Sequence, residues 1–321
     1  MVLQIFLLVV GFVLLIKGAD WLISGASSAA ASFKVSKQLI GLTIVAFGTG
    51  APELAVSISS LASGNTDMLL GNVIGSNILN IMLLIGIAAA IRPIKINKNT
   101  ISKELPLLLL ISTVLIVLFL DTSIIGSISN SIDRGDALIC ILFFAIFLYY
   151  IFSMARSNRK EKKKVEKPKY KLGIAMLLVV TGLVGVVLGS QLVVNSASTI
   201  AAEIGVSDRI IALTVVAFGT SLPELVTTIT AARRGENELL VGNIIGSNIF
   251  NICIVLGIPV AIFGSITPES FELLDLVMLI GSAIILWLVA KTDTTITRKE
   301  GVLMLAIFTI YYSYIIYGAL A

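Results

Sequence analysis

The chain has 321 residues, 57% hydrophobic and 13% charged, with a mean hydropathy of +1.03 and a formal net charge of +4. A soluble domain carries about 25% charged residues, so this composition excludes a soluble globular protein and points to a polytopic membrane protein. Histidine is absent, which removes imidazole catalysis and the commonest metal ligand, and no nucleic-acid partner or cofactor is expected.

The first apolar run, Val2–Ile16, precedes the small-residue stretch "SGASSAAAS" and has the outline of a signal peptide. No Lys or Arg precedes it, whereas a signal peptide needs a basic n-region. A related pattern, "VVLGSQLVVNSAS", recurs mid-chain at Val186–Ser198, so the run reads as a first transmembrane helix. A bilayer core of about 30 Å takes roughly 20 apolar residues per helix. Ten stretches qualify: 2–22, 39–62, 68–91, 104–120, 135–154, 172–194, 210–232, 239–263, 272–290 and 300–318. Cys140 and Cys253 fall inside such stretches and read as small core residues.

Between the fifth and sixth stretches lies "ARSNRKEKKKVEKPKYK", the only strongly charged segment. It divides the chain into a first five-helix unit, 1–154, a basic linker, 155–171, and a second five-helix unit, 172–321. With the linker on the cytoplasmic side, loops on that side hold 20 of the 23 basic residues. The opposite loops hold Arg134 and Arg209, and Lys17 sits within the first helix. The positive-inside bias therefore predicts a cell-membrane protein with both termini outside and the linker in the cytoplasm. The linker itself reads as a solvated tether near anionic lipid.

The two units resemble each other without a gap at a constant offset of 171 residues, from about Gly18 to Ile91. "VAFGTGAPEL" at Val45–Leu54 returns as "VAFGTSLPEL" at Val216–Leu225, and Leu69–Ile81 matches Leu240–Ile252 at 10 of 13 positions. Five helices per unit is an odd number, so the second unit enters the membrane with opposite polarity. The expected fold is thus all-α and polytopic, ten transmembrane helices in two inverted five-helix repeats. That is a common transporter architecture, with its binding site near the midplane between the halves.

Each repeated motif breaks its own helix. Pro52 has no N–H, leaving the Gly48 carbonyl without its helical partner, and Gly48 and Gly50 weaken the same turn. Gly219, Ser221 and Pro223 repeat this break. Thr49 and Glu53, like Thr220 and Glu224, stand four apart and share a face where helix persists. A carboxyl group at the centre of a spanning helix costs about 2.5–3.5 kcal/mol on insertion scales, so Glu53 and Glu224 read as functional. Lys17 is the basic residue at comparable depth, and Asp20 is its nearer partner in sequence.

The next helix in each unit carries a polar stripe at four-residue spacing: Asn72, Ser76 and Asn80, then Asn243, Ser247 and Asn251. Asn72 and Asn243 read as helix–helix ties beside Gly71, Gly75, Gly242 and Gly246, whose spacing permits close approach. Ser76, Asn80, Ser247 and Asn251 read as ligands or their immediate supports. Carboxylates, hydroxyls, amides and carbonyls without thiol or imidazole suit a hard cation. Calcium accepts six to eight flexible oxygen ligands, and two glutamates balance one Ca²⁺. Several Na⁺ ions could use the same oxygens, and protons could compete for them.

These motifs resemble the two α-repeats of the cation/calcium exchanger superfamily, closest to its prokaryotic sodium/calcium exchangers. The matching segments are "GLTIVAFGTGAPEL" with "GNVIGSNILNI", and "ALTVVAFGTSLPEL" with "GNIIGSNIFNI". The resemblance implies antiport of Ca²⁺ against Na⁺ by alternating access, with the first and sixth helices sliding against a rigid core. It also implies an ion cluster at Thr49, Glu53, Ser76 and Asn80 in the first half and at Thr220, Ser221, Glu224, Ser247 and Asn251 in the second. It adds the backbone carbonyls of Ala46 and Ala217, whereas the proline argument favours those of Gly48 and Gly219, and both choices stand open at this level.

Two positions depart from the family pattern. Gly50 occupies a place where Ser is usual, so one sodium site lacks a hydroxyl there. Asn251 stands where some relatives carry Asp, and an Asn in both halves argues against potassium co-transport. A proton-driven calcium antiporter of the same fold is the nearest alternative. A cation channel would need a continuous pore, and an intramembrane hydrolase would need a base beside its nucleophile. The expected partners are the ions and the bilayer, with the chain working as a monomer.

Overall fold

The apolar stretches fold as helices, as their length and hydropathy require. The computed structural model describes residues 1–120, 130–160, 167–204, 217–267 and 273–320, without side-chain detail at 157–160, 217 and 319–320. In chain order the elements are α1 (Val2–Phe33), α2 (Lys37–Thr49), α3 (Ala51–Ala62), α4 (Thr66–Ile91), β1 (Ile94–Lys95), α5 (Thr100–Phe119) and α6 (Arg134–Arg156). They continue with α7 (Leu172–Glu203), α8 (Ala217–Gly219), α9 (Leu222–Arg234), α10 (Asn237–Phe263), α11 (Leu273–Asp293), β2 (Thr295–Ile296) and α12 (Arg298–Gly318). Among the described residues, eight helices are individually long and apolar enough to cross a membrane, and α2 with α3 makes a further span bent by 42°. The expected seventh span, 210–232, is described only from residue 217, and Arg209 and linker residues 161–166 lie outside the described residues.

Two helices run well past their expected ends. α1 and α7 each have 32 residues, about 48 Å of helix, more than the hydrocarbon thickness. Hydropathy drops at "SGASSAAAS", which is why sequence reading stops α1 at residue 22. The helix continues because Ser24, Ser28 and Ser32 donate their hydroxyls to the carbonyls of Asp20, Ser24 and Ser28 at 2.8–2.9 Å, hiding the polar atoms within the helix.

α1 and α7 pack backbone to backbone. A Cβ on Gly18 would lie 2.7 Å from the Val186 nitrogen, one on Gly182 2.5 Å from the Leu22 nitrogen, and one on Gly189 2.7 Å from the Leu15 nitrogen. Gly25 meets Ala175, so contacts ascend along α1 as they descend along α7, and the pair is antiparallel. Small residues permit such approach where lipid gives helices no hydrophobic reason to associate. The outer faces of both helices expose large apolar side chains, among them Phe6, Val9 and Phe12 on α1 and Leu177 and Val184 on α7.

The centre belongs to α4 and α10. In their most apolar windows 72% and 89% of residues are buried, against 22% for α1. Gly242 and Gly246 of α10 lie against the backbone of α2, with would-be Cβ atoms 2.5 Å from the Gln38 oxygen and 2.6 Å from the Leu42 oxygen. Gly71 and Gly75 of α4, expected to do likewise, meet no described atom within 4 Å. Both central helices contain one wide turn, Leu79–Leu84 and Asn251–Leu256, and such turns gather at functional sites.

Polar groups tie the ends of the helices. Glu104 of α5 is fully buried and accepts hydrogen bonds from Tyr150 of α6 and from the Gln38 amide at 2.9 Å. At the position 171 residues on, Asp275 of α11 accepts from Tyr311 of α12 at 2.8 Å. β1 and β2 pair antiparallel, Ile94 opposite Ile296, joining the connection after α4 to that before α12. Cys140 and Cys253 are both buried and free, as expected of core residues.

Candidate cation-binding site

The motif break lies where the sequence puts it. α2 stops at Thr49, Gly50 forms the corner, and α3 starts with Pro52 in its first turn, where a missing N–H costs nothing. α9 repeats this after Ser221, with Pro223 in its first turn. Glu53 and Glu224 therefore each sit in the first turn of a helix, where the N-terminal dipole favours a negative side chain. They are 2% and 1% exposed. Among the described residues no Lys or Arg pairs with either.

The two halves meet at these acids. The Ser221 hydroxyl lies 3.5 Å from Glu53 Oε1 and 3.4 Å from Ser76 Oγ. Thr49 lies beside Glu224 outside hydrogen-bond geometry, its hydroxyl donating to the Val45 carbonyl at 3.1 Å. The acids and the central helices α4 and α10 carry buried oxygens without hydrogen-bond partners: Glu53 Oε2, both oxygens of Glu224, Asn80 Oδ1, Asn251 Oδ1 and Ser247 Oγ. Leaving such acceptors buried and unpaired costs about 1–3 kcal/mol each, more for charged groups. Nearly all are acceptors rather than donors, the arrangement a hard cation would satisfy.

Of the expected site residues, Glu53, Ser76 and Ser221 come together and Thr49 lies beside Glu224, while Asn80, Ser247 and Asn251 are buried on the two central helices. Thr220 is half-buried at the corner before Ser221, and Ala217 is described in its backbone only. For the carbonyls the structure divides the expectation. The Gly219 oxygen already accepts from the Ser190 hydroxyl of α7 at 2.9 Å, so the proline break does not leave it unpaired. The Ala46 oxygen accepts from the Gly50 nitrogen at 2.9 Å and keeps a second lone pair.

Asn72 and Asn243 act as the ties they were expected to be. The Asn72 amide donates to the Glu53 carbonyl and the Ser57 hydroxyl, both at 3.0 Å. Asn243 bridges Thr49 and Thr227, each at 3.5 Å. Lys17 does not keep Asp20, which pairs instead with Arg234 of α9 at 2.7 Å, a partner invisible at 214 residues' separation.

Residues 3–153 and 174–317 match the family model described as "Sodium/calcium exchanger protein". The chain belongs to that family. It is 37% identical over 328 residues to the "Putative antiporter CaxA" of Alkalimonas amylolytica, covering 99% of this chain and all of that one. It is 34% identical over 322 residues to the "Inner membrane protein YrbG" of Escherichia coli K12, covering 97% and 96%. A solved structure of the sodium-calcium exchanger NCX_Mj superposes with a TM-score of 0.84 at 32% identity, covering 97% of this chain and 98% of that one. The chain is accordingly a multi-pass membrane protein and a cation/calcium antiporter of the exchanger family, not an enzyme.

Three buried residues near this cluster escaped the sequence reading. Asn77 and Asn248, one position past the serines of the polar stripe, are 1% and 0% exposed and lie between the halves. Their doubled presence in "IGSN" was the available signal, but a strict four-residue stripe passes over them. Phe250 is the third. Its ring packs against Gly50, so that a Cβ there would lie 3.0 Å from Cδ1, and it stacks on Phe47 at 5.1 Å. At the matching places of the repeat stand Leu79 for Phe250 and Ser221 for Gly50, so the glycine and the larger ring belong to one pairing and the serine and the leucine to the other.

Proposed function

We propose that this exchanger moves Ca²⁺ outward or inward against Na⁺ by alternating access, through one site shared by Glu53 and Glu224. The observation that carries the reading is the set of buried, unpartnered oxygens on and beside the helices of two carboxylates supplied by opposite halves, with no Lys or Arg paired to either among the described residues. Thr49, Ser76, Asn80, Thr220, Ser221, Ser247 and Asn251 complete the cage, with the Ala46 and Ala217 carbonyls. The full architecture is ten spans in two inverted repeats, 1–154 and 172–321, about the basic linker 155–171. It is supported by the antiparallel seam of α1 and α7, in which Gly11 and Gly18 recur as Gly182 and Gly189. The linker is cytoplasmic, both termini are outside, and the chain works as a monomer.

Sodium and calcium compete for the same oxygens, so occupancy is exclusive, which is the minimum requirement for exchange. A seam of glycines suits an α1–α7 pair that slides as a unit, because close backbone contact holds the two helices together. The names of the relatives also support sodium coupling. The test is ⁴⁵Ca²⁺ uptake into proteoliposomes loaded with Na⁺ and diluted into Na⁺-free buffer at equal pH. Uptake that needs internal Na⁺ is expected. Uptake that ignores Na⁺ and follows an imposed pH gradient would make the protein a proton-coupled antiporter.

A further inference from the structure

The amide of Asn80 can face a cation with its oxygen or with its nitrogen, and only the first makes it a ligand. Asn80 belongs to the wide turn of α4 and its Nδ2 donates to Asn248 Oδ1 of α10 at 3.0 Å. Asn248 Nδ2 in turn faces the Asn77 backbone oxygen at 3.5 Å, and Asn77 Nδ2 donates to the Val73 oxygen at 2.7 Å. A backbone carbonyl only accepts, so the end of Asn248 that faces it must be the NH₂. That fixes Asn248 Oδ1 toward Asn80, which takes up the Asn80 nitrogen and leaves its oxygen as a buried acceptor without partner. Turning the Asn248 amide over would set nitrogen against nitrogen and oxygen against oxygen.

We infer that Asn248 is a positioning residue, locking the Asn80 amide so that its oxygen points into the site. The inference rests on the cation-cage reading above and assigns a task to a residue outside the cage. It also marks a difference between the halves. The matching contact, from Asn251 to Asn77, is not made, since Asn77 Oδ1 has no partner and its nitrogen is spent on its own helix. The half containing Asn80 is held by an amide from the opposite half, and the half containing Asn251 is not held in the same way.

The test is a double-mutant cycle on the purified full chain, read as equilibrium ⁴⁵Ca²⁺ binding for wild type, Asn248→Leu, Asn80→Asp and the double variant. A carboxylate at 80 presents an acceptor in either orientation, so it no longer needs Asn248. Asn248→Leu is expected to weaken binding by about tenfold or more beside Asn80 and to change it little beside the aspartate. Equal losses in both backgrounds would mean a purely structural role, and no loss in either would also overturn the inference.

A second measurement needs neither a folded Asn248→Leu variant nor a bound ion. In ¹⁵N-labelled wild type, the Asn80 side-chain amide, assigned by its disappearance in Asn80→Asp, is expected to exchange its protons slowly. Fast exchange would overturn the lock. Should wild type bind no Ca²⁺, the transport reading fails and with it the ligand role of Asn80, whereas this amide measurement still decides whether Asn248 locks the Asn80 amide.

Discussion

Replacing Gly50 by serine restores the hydroxyl that Ser221 supplies in the other half, yet the structure predicts that the change fails alone. A Cβ at residue 50 would lie 3.0 Å from the Phe250 ring and 3.1 Å from the Ala46 oxygen. Ordinary carbon contacts need about 3.5–4.0 Å, so the ring must give by a few tenths of an ångström. Overpacking of that size costs about 1–3 kcal/mol, and Gly50→Ser is expected to lower the melting temperature by several degrees. Adding Phe250→Leu, the residue type found at Leu79, removes the obstruction and forfeits the Phe47 stack, worth about 0.5–1.5 kcal/mol. The new hydroxyl then reaches a charged centre, an interaction of about 1.5–3 kcal/mol. Sodium should half-saturate the double variant at a concentration lower by about tenfold. The assay is the Na⁺ dependence of ⁴⁵Ca²⁺ efflux from proteoliposomes for wild type, both single variants and the double. A Gly50→Ser protein that melts like wild type and already binds Na⁺ more tightly would refute the reasoning, as would an unchanged double variant.

Gly182→Ala pushes a methyl to 2.5 Å from the Leu22 nitrogen, and backbone cannot step aside. It should lower the melting temperature and slow exchange, whereas Gly281→Ala, with nothing within 4 Å, should stabilise by about 0.5–1 kcal/mol; equal melting temperatures for the two variants would dissolve the seam argument. Asn72→Leu removes two 3.0 Å bonds to Glu53 and Ser57, costing about 1–3 kcal/mol, and should depress stability while leaving calcium half-saturation near wild type. A large affinity loss at unchanged stability would instead make Asn72 a ligand.

Much of this was legible because membrane helices and doubled motifs write strongly periodic signals. The Gly-Thr-x-x-Pro break could be placed from proline chemistry, and the two glutamates stood out because acids at bilayer depth are costly. What sequence could not carry was contact across long separations. The Ser190 hydroxyl that takes the Gly219 carbonyl lies 29 residues from it, and Arg234 draws Asp20 from the far half. Helix ends were misjudged for a different reason. Hydroxyls that bond within their own helix look polar in composition and behave as apolar in packing, so α1, with Ser24, Ser28 and Ser32, and α7, with Thr199, extend beyond the hydropathy signal. Asn77 and Asn248 were missed because their role depends on which end of an amide faces which neighbour, and residue identity holds no such information.

The central claim is that two halves build one calcium site rather than two. It is tested most directly by counting calcium bound at equilibrium to purified wild type, Glu53→Gln and Glu224→Gln. The account predicts a single Ca²⁺ per wild-type chain and loss of all of it in either variant. Two ions per wild-type chain, with one retained in each variant, would contradict it.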